Sequence, residues 1–350
     1  MIEQLSSGVY PVPLCEKDHI PIVMASSQAF LPYTCVAMHS VLAHGREACS
    51  YEFLLLTQSG YTAGGLALLE STIKGYPNCA IRLVTVGEYL PENLHTEGHV
   101  SGETYARLLI PRLLKHYHDV LYLDGDLVVL QDVSPLLSLP HDPEIYLSGV
   151  TDLDVLGQYC GPERSMRYYL DKKLHIRRAA EYLQAGVLVF HVQAMRTGLG
   201  ETALLEASTS GRFRYFDQDI LNVLCQGHIH LLDLRWNVVC DCDGYRVSHI
   251  IANTPGELQK GYAASRQDPW IVHYSGRQKP WEDEKTDLGS YFQQAMAQAQ
   301  LETQCLKTQN KPGESGGKKV LNRLLPPQSL LRELCKICYF SYKYSSFNQP

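Results

Sequence analysis

Val120-Leu-Tyr-Leu-Asp-Gly-Asp-Leu-Val-Val-Leu130 sets two carboxylates, Asp124 and Asp126, between two apolar runs. Ionised carboxylates are costly to bury unpaired, so both must reach solvent, a cationic partner or a metal. On extended backbone, positions i and i+2 point to the same side. Gly125 between them lets a ligand approach the backbone. Two readings are open for this segment. It is either a frame for a hard divalent cation, which prefers oxygen ligands and bridges to phosphates, or a hairpin with an Asp-Gly turn and solvated acids.

The flanking sequence alternates short apolar runs with helical spacing. Ile20–Ala25, Glu52–Leu56 and Ile81–Val86 read as buried strands, and Tyr33–Leu42 and Ala63–Lys74 as the helices between them. Such alternation predicts βαβ units and a mostly parallel sheet, which binds ligands in the crevice beyond its strand C-termini. Thr104–His116 reads as a helix kinked at Pro111. Strand candidates follow at Glu144–Val150, Ala185–Val192, Ile229–Leu234 and Trp270–Tyr274, with helices over Asp217–Cys225 and Leu288–Leu301.

Two further strings carry chemistry. Ile271-Val-His-Tyr-Ser-Gly-Arg-Gln-Lys-Pro-Trp281 ends a strand on His273 and continues into a loop with Gly276 and Lys279. A neutral imidazole ligates Mn²⁺-like ions, and a lysine holds phosphate as a point charge. The bland alternative is a hydrogen-bonded histidine. In Phe216-Asp-Gln-Asp-Ile-Leu-Asn222, Asp217 is either a helix N-cap or a carboxylate beside a sugar hydroxyl. Nucleotide and hydrolase motifs fail: no G-x-G-x-x-G follows the first strand, and no G-x-S-x-G elbow occurs. Gly313–Lys318 departs from a phosphate loop, with Pro312 at the first glycine position and Lys319 in place of Ser/Thr.

Of 350 residues, 45% are apolar and 19% charged, ordinary globular usage that excludes disorder for most of the chain. The net charge of −6 argues against a general nucleic-acid coat. Residues 311–350 hold seven Lys/Arg and two Glu, a local +5 that leaves −11 for the rest. The N-terminal MIEQLSSGVYPVP lacks the basic and apolar regions of a secretory signal, and no apolar run approaches ~20 residues. A cytoplasmic location is expected. The eleven cysteines then read as reduced thiols, against the alternative of a zinc site on Cys240, Cys242, Cys335 and Cys338. The basic, aromatic stretch Val320–Tyr344 suits an interfacial segment at anionic lipid. The alternative is a final helix packing Leu330, Leu331, Leu334 and Ile337 on the body.

Taken in order, these strings resemble family 8 glycosyltransferases, which are retaining, metal-dependent and use a UDP-sugar. The family includes bacterial lipopolysaccharide glucosyl- and galactosyltransferases. The resemblance runs from about Ile20 to Trp281, through Thr104-Tyr-Ala-Arg-Leu108, Leu121–Asp126, Gln184-Ala-Gly-Val-Leu188, Asp217–Asn222 and His273–Trp281. It implies an α/β GT-A fold, a Rossmann-like and mostly parallel sheet flanked by helices, over residues 18–285. Residues 286–350 would form a small helical C-terminal extension with the basic, amphipathic tail.

The resemblance also implies a site. Asp124, Asp126 and His273 would ligate Mn²⁺ or Mg²⁺, with Gly125 beside the donor nucleotide and Gly276 and Lys279 on its phosphates. Arg107 and Asp217 would contact the donor sugar, as would Gln184 and Gly186. Gln218 would lie beneath the anomeric carbon, Asp152 near the donor, and His99 on the acceptor side. Ser27 takes the place of the family's uracil-reading Asp, and Ala29 that of its Asn. Gln184-Ala185-Gly186 replaces the usual Asn-Ala-Gly, keeping the amide with one more methylene. The implied partners are UDP-glucose or UDP-galactose and a glycan or glycolipid acceptor such as lipopolysaccharide core. The tail, residues 320–344, would meet an anionic membrane at the inner face of the cytoplasmic membrane. Two other readings stay open: a transferase-like binding module without turnover, and an enzyme with a protein or soluble glycan acceptor.

Overall fold

Ile22, Val23 and Met24 are wholly buried, as a strand in a sheet covered on both faces requires. They lie in the second of eleven strands among the described residues. The computed structural model describes residues 1–5, 8–94, 102–241, 244–300 and 330–344. In chain order the main elements are β1 (Ile2–Leu5), β2 (His19–Ala25), α1 (Leu31–Ala43), β3 (Ser50–Thr57), α2 (Ala63–Thr72), β4 (Cys79–Thr85), β5 (Asp119–Leu123) and β6 (Leu127–Val129). There follow β7 (Leu147–Thr151), α3 (Leu153–Cys160), β8 (Leu183–His191), α4 (Phe216–Cys225), β9 (Ile229–Leu231) and β10 (Val238–Val239). The last are α5 (Gly256–Gln267), β11 (Ile271–His273), α6 (Gly289–Gln298) and α7 (Leu330–Lys343).

Eight strands form one sheet in the order β1-β4-β3-β2-β5-β8-β7-β9. All its pairs are parallel except β5 with β8 and β7 with β8. The chain runs outward from β2 through β3 to β4, then returns to place β5 on the other side of β2. That reversal opens a crevice beyond the C-terminal ends of β2 and β5, where Ser26-Ser27 and Asp124 follow their strands. Pro21 has no N–H to give. It stands one residue before β2 begins to pair with β5, at Ile22–Leu121.

The hairpin reading of 120–130 does not hold. β5 lies inside the large sheet, whereas β6 leaves it and joins a second, three-stranded sheet, β10-β11-β6. The Asp-Gly-Asp segment is therefore the crossing between two sheets. The expected helix over Thr104–His116 is also broken: an α-turn at Gly102–Ala106, a 3₁₀ turn at Arg107–Leu109, and a short α-segment at Ile110–Leu113. Pro111 cannot donate to the carbonyl four residues back, and its ring crowds that carbonyl. That carbonyl belongs to Arg107, which instead accepts from the Ile110 N–H.

β1 has no counterpart in the sequence reading; its residues carry only one buried side chain, Leu5. α7 packs on the body as the second reading of the tail expected, by a face that includes the half-buried Ile337 but not Leu334. Leu334 is half-exposed, while Glu333, Phe340 and Tyr344 are buried. No helix among the described residues is long and apolar enough to cross a membrane.

Candidate active site

The crossing between the sheets is pinned at both ends. Asp124 N donates to the Gly186 carbonyl on β8, and Tyr274 N, just past β11, donates to the Asp126 carbonyl. This brings His273, the last residue of β11, against both acids. His273 Nε2 lies 3.2 Å from Asp126 Oδ1 and 3.7 Å from Asp124 Oδ2. One ligand atom from each of the three lies within 4.8 Å of the others. Gly125 is held for packing: a Cβ there would stand 2.5 Å from Thr34 Oγ1 and 3.2 Å from the Phe30 ring.

His273 is oriented by a residue that the sequence reading missed. Asn237 donates its amide hydrogen to Gln184 Oε1 at 2.7 Å. Its own oxygen, 3.0 Å from His273 Nδ1, therefore accepts. Nδ1 carries a proton, and when the ring is neutral Nε2, the nitrogen nearest Asp124 and Asp126, is the one free to coordinate. That tautomer is the metal-ligating one, fixed by a hydrogen bond at the far nitrogen. Gln184 Oε1 also accepts from Gly186 N at 2.7 Å. A Cβ on Gly186 would fall 2.2 Å from His273 Cε1 and 2.9 Å from Asp124 Oδ2. Two acidic oxygens and an imidazole nitrogen this close together suit a divalent cation such as Mn²⁺ or Mg²⁺.

Lys279 reaches back to the same cluster, 2.6 Å from Asp126 Oδ2 and 2.8 Å from the Tyr274 carbonyl. Burial works to raise the Asp126 pKa, but Lys279 and His273 beside it hold the carboxyl well below the usual range. Gly276, at φ 127°, turns the loop between His273 and Lys279 through a conformation that side chains disfavour.

The opposite wall is built on Arg107. Its Nη2 donates to Asp124 Oδ1 at 2.9 Å and its Nη1 to the Ala185 carbonyl. Its guanidinium carbon sits 4.3 Å from the centre of the Tyr122 ring. Asp217 Oδ2 lies 2.9 Å from Arg107 Nε, but no aligned hydrogen bond reaches this buried oxygen. Asp217 is not the N-cap, which is Tyr215. Asp219 performs the nearest equivalent, accepting from Tyr215 N at 2.7 Å. Phe216 between them adopts φ 49°, a strained conformation for an aromatic residue and one that clusters at functional sites. Burial pushes the Asp217 carboxyl up to about 7 although Arg107 opposes the shift.

Gln218 is locked in place. Its Oε1 accepts from Ala185 N and its Nε2 donates to Asp152 Oδ2, each at 2.9 Å. Asp152 also caps α3 through Val155 N. Burial, and then Asp154, raise its carboxyl to about 6. A cavity of about 180 Å³ opens beside these groups, lined by Asp152, Gln184, Gln218, Tyr215, Asn237 and Arg246. Arg246 is a second residue that motif reading missed. It pairs with Asp154 at 2.9 Å and donates to the Ser275 carbonyl at 3.0 Å. A larger cavity of about 340 Å³ lies at Arg177, Tyr182 and Gln226; neither cavity is lined by Asp124, Asp126 or His273, but the smaller one is lined by Gln184 and by Asn237, which bonds His273.

Ser27 forms the turn into α1, its Oγ accepting from Phe30 N at 3.3 Å, and Ala29 is exposed. His99 and Cys242 lie outside the described residues. Cys240 is buried, while Cys335 and Cys338 are exposed on α7.

A family model described as glycosyl transferase family 8 matches residues 21–285. General stress protein A of Bacillus subtilis (strain 168) is 27% identical over 223 residues, 61% of this chain and 70% of that protein. A protein of Escherichia coli K12 named lipopolysaccharide 1,2-glucosyltransferase is 27% identical over 184 residues, 52% of this chain and 49% of that one. The solved structure of the bifunctional glycosyltransferase WbbM superposes with a TM-score of 0.75 at 26% identity. It covers 86% of this chain, which spans about half of WbbM (53%).

Proposed function

Because the chain belongs to glycosyl transferase family 8 and has its GT-A fold, we propose that it is a retaining hexosyltransferase. It moves glucose or galactose from a UDP-sugar to a glycan acceptor, lipopolysaccharide core first among them. The observation that carries this reading is the cluster of Asp124, Asp126 and His273, joined through Arg107 to Asp217, the neighbour on α4 of the Asp152-bonded Gln218. The similarity to a lipopolysaccharide 1,2-glucosyltransferase supports the acceptor class.

Asp124, Asp126 and His273 would hold Mn²⁺ or Mg²⁺, which supplies Lewis-acid charge against the departing diphosphate. Gly276 and Lys279 bind the phosphates, with Lys279 exchanging Asp126 for a phosphate oxygen. Arg107 and Asp217 orient the donor sugar, and Asp217 Oδ2, paired with Arg107 but reached by no aligned hydrogen bond, accepts one of its hydroxyls. Gln184 and Gly186 border the sugar, Gly125 and Ser27 the nucleoside.

An amide is a poor nucleophile beside the carboxylate of other retaining enzymes. Both ends of the Gln218 amide are already hydrogen-bonded, which supports a fixed floor rather than an attacking group. Transfer then proceeds from the front face. The acceptor oxygen bonds to the anomeric carbon, the bond to the diphosphate oxygen breaks, and the acceptor proton passes to that oxygen. A covalent glycosyl-enzyme on a carboxylate of the wild-type protein would sink this order of events.

One domain over residues 18–285 would carry the reaction, with 286–350 as its extension. A cytoplasmic protein resting on the inner face of the cytoplasmic membrane fits α7. Its unpacked face carries Leu334 and Tyr339, each 50% exposed, and Tyr342, 92% exposed. These positions lie on one side of the helix, in a tail whose sequence is basic, as an anionic lipid interface favours.

The test is a screen of UDP-sugars for UDP release with Mn²⁺, comparing wild type with Asp126→Ala. The reading expects release from one hexose donor and its loss in the variant. Binding of UDP without release would favour a module without turnover, which the missing Asp and Asn at Ser27 and Ala29 make the second reading.

A further inference from the structure

The C-terminal helix packs against residues 163–173, next to α4. Glu333 accepts from Arg164 N at 2.8 Å, Lys336 pairs with Glu163, and Lys173 donates to the Ser341 carbonyl. These contacts seat Phe340 and Tyr344 edge-on against Tyr169, with ring centres 6.0 and 5.3 Å away. Tyr169 is wholly buried. Its hydroxyl donates to Asp219 Oδ2 at 2.7 Å and accepts from Arg214 N at 2.8 Å.

Asp219 is the neighbour of Gln218 on α4. Its two oxygens also take the Tyr182 hydroxyl and Tyr215 N, so this buried carboxylate fixes the start of α4. The Arg214 guanidinium lies between two rings, 4.7 Å from Phe340 and 5.1 Å from Tyr215. Tyr215 lines the cavity beside Gln218. Tail ring, arginine, tyrosine and cavity thus form one packed stack.

We propose that α7 is a positioning element of the active site, acting through Tyr169 and Arg214 to hold Tyr215, Gln218 and the strained Phe216 in place. This rests on reading the cleft as a sugar-transfer centre. A strained helix start persists only where its surroundings over-determine it, and α7 supplies one side of those surroundings. The metal-capable cluster has supports of its own in β5, β11 and Asn237, and is linked to α4 through Arg107 and Asp217. Loss of the tail contact should therefore spare nucleotide binding and damage transfer.

The experiment uses the full chain with Phe340→Ala, the conservative Phe340→Tyr, and Leu69→Ala. Leu69 is buried in α2, away from α7, and its truncation controls for general destabilisation. Three readouts are taken: UDP binding with Mn²⁺ by calorimetry, kcat at saturating donor, and hydrogen exchange of the amides of 215–222. Phe340→Ala should lower kcat about tenfold or more and keep the UDP Kd within about twofold, since small misplacements near the chemistry are costly. It should also speed exchange at 215–222 and leave exchange at 271–273 unchanged. Phe340→Tyr should restore most of the rate, and Leu69→Ala should keep the rate per folded molecule.

Unchanged exchange at 215–222 in Phe340→Ala overturns the proposal, as does an unchanged kcat or a rate loss that Leu69→Ala reproduces. A parallel loss of UDP binding overturns it too. Wild type that binds no UDP with Mn²⁺ overturns the reading of the site itself, and the proposal falls with it.

Discussion

Arg107 Nε stands 2.9 Å from Asp217 Oδ2 at the floor of the cleft, while Arg107 Nη2 holds Asp124 on its other side. One guanidinium thus joins the metal-capable acids to the residue beside Gln218. Burial opposes its charge, but Asp124 and Asp217 outweigh burial and keep it protonated. Replacing Arg107 with Met leaves two carboxylates without their cation. A loss of about 3–5 kcal/mol in folding stability is expected, as for broken buried pairs. Urea unfolding measures it. Arg107→Lys should recover part of the stability but little turnover, because an ammonium cannot reproduce the planar fork.

Asp217 gives the pH dependence its sign. Its carboxyl titrates near 7 in the fold, raised mainly by burial, and near 4 in the unfolded chain. Between those values the native state holds a proton that the unfolded state has released. Stability therefore falls as pH rises from about 4 to about 7, by up to about 4 kcal/mol from this group. Metal-free wild type should show a declining unfolding midpoint across this window. Asp217→Asn should flatten the decline; an equal slope in the variant would remove Asp217 as its source.

Gly186→Ala tests the cradle. The added methyl would collide with His273 and approach Asp124 Oδ2, so the three ligands cannot keep their spacing. Mn²⁺ affinity, read by the loss of free-ion electron paramagnetic resonance signal, should drop about 10–100-fold, the range of supporting-residue losses at metal sites. An affinity equal to wild type would show that the cluster is not the metal site.

Asn237→Leu tests the tautomer. Without the acceptor at Nδ1, His273 is free to place its proton on Nε2, where it blocks coordination. The same titration should show weaker Mn²⁺ binding with the fold intact by circular dichroism. The imidazole nitrogen shifts should report a mixed tautomer in place of a single one.

The outer stripe of α7 predicts lipid binding that spares catalysis in solution. Deleting 311–350 would also remove the docked face, so a surface change is cleaner. Tyr342→Ser with Leu334→Ser should reduce sedimentation with vesicles rich in anionic lipid. Salt should weaken wild-type sedimentation as well, because the basic tail contributes an electrostatic part. Wild type that never sediments would end the membrane reading.

Much of the site was legible in local strings because the chemistry needs particular atoms at short spacing. Asp124, Asp126, His273, Gly276 and Lys279 stand in two stretches with distinctive order. The parallel sheet was legible too, since strands buried on both faces read as unbroken apolar runs. Asn237 and Arg246 were not. Each lies in a segment without periodicity, and each acts on a partner far along the chain, His273 or Asp154.

By itself, then, the sequence determined the residue types and the alternation of strands and helices, because both depend on neighbours in the chain. Only the tertiary structure decided that β5 and β6 part into different sheets, that Asp217 faces Arg107 instead of capping its helix, and that Phe340 instead of Leu334 seats the tail. In each case the outcome depends on which distant surface receives the side chain. The local pattern was compatible with both answers, and desolvation against a remote partner chose between them.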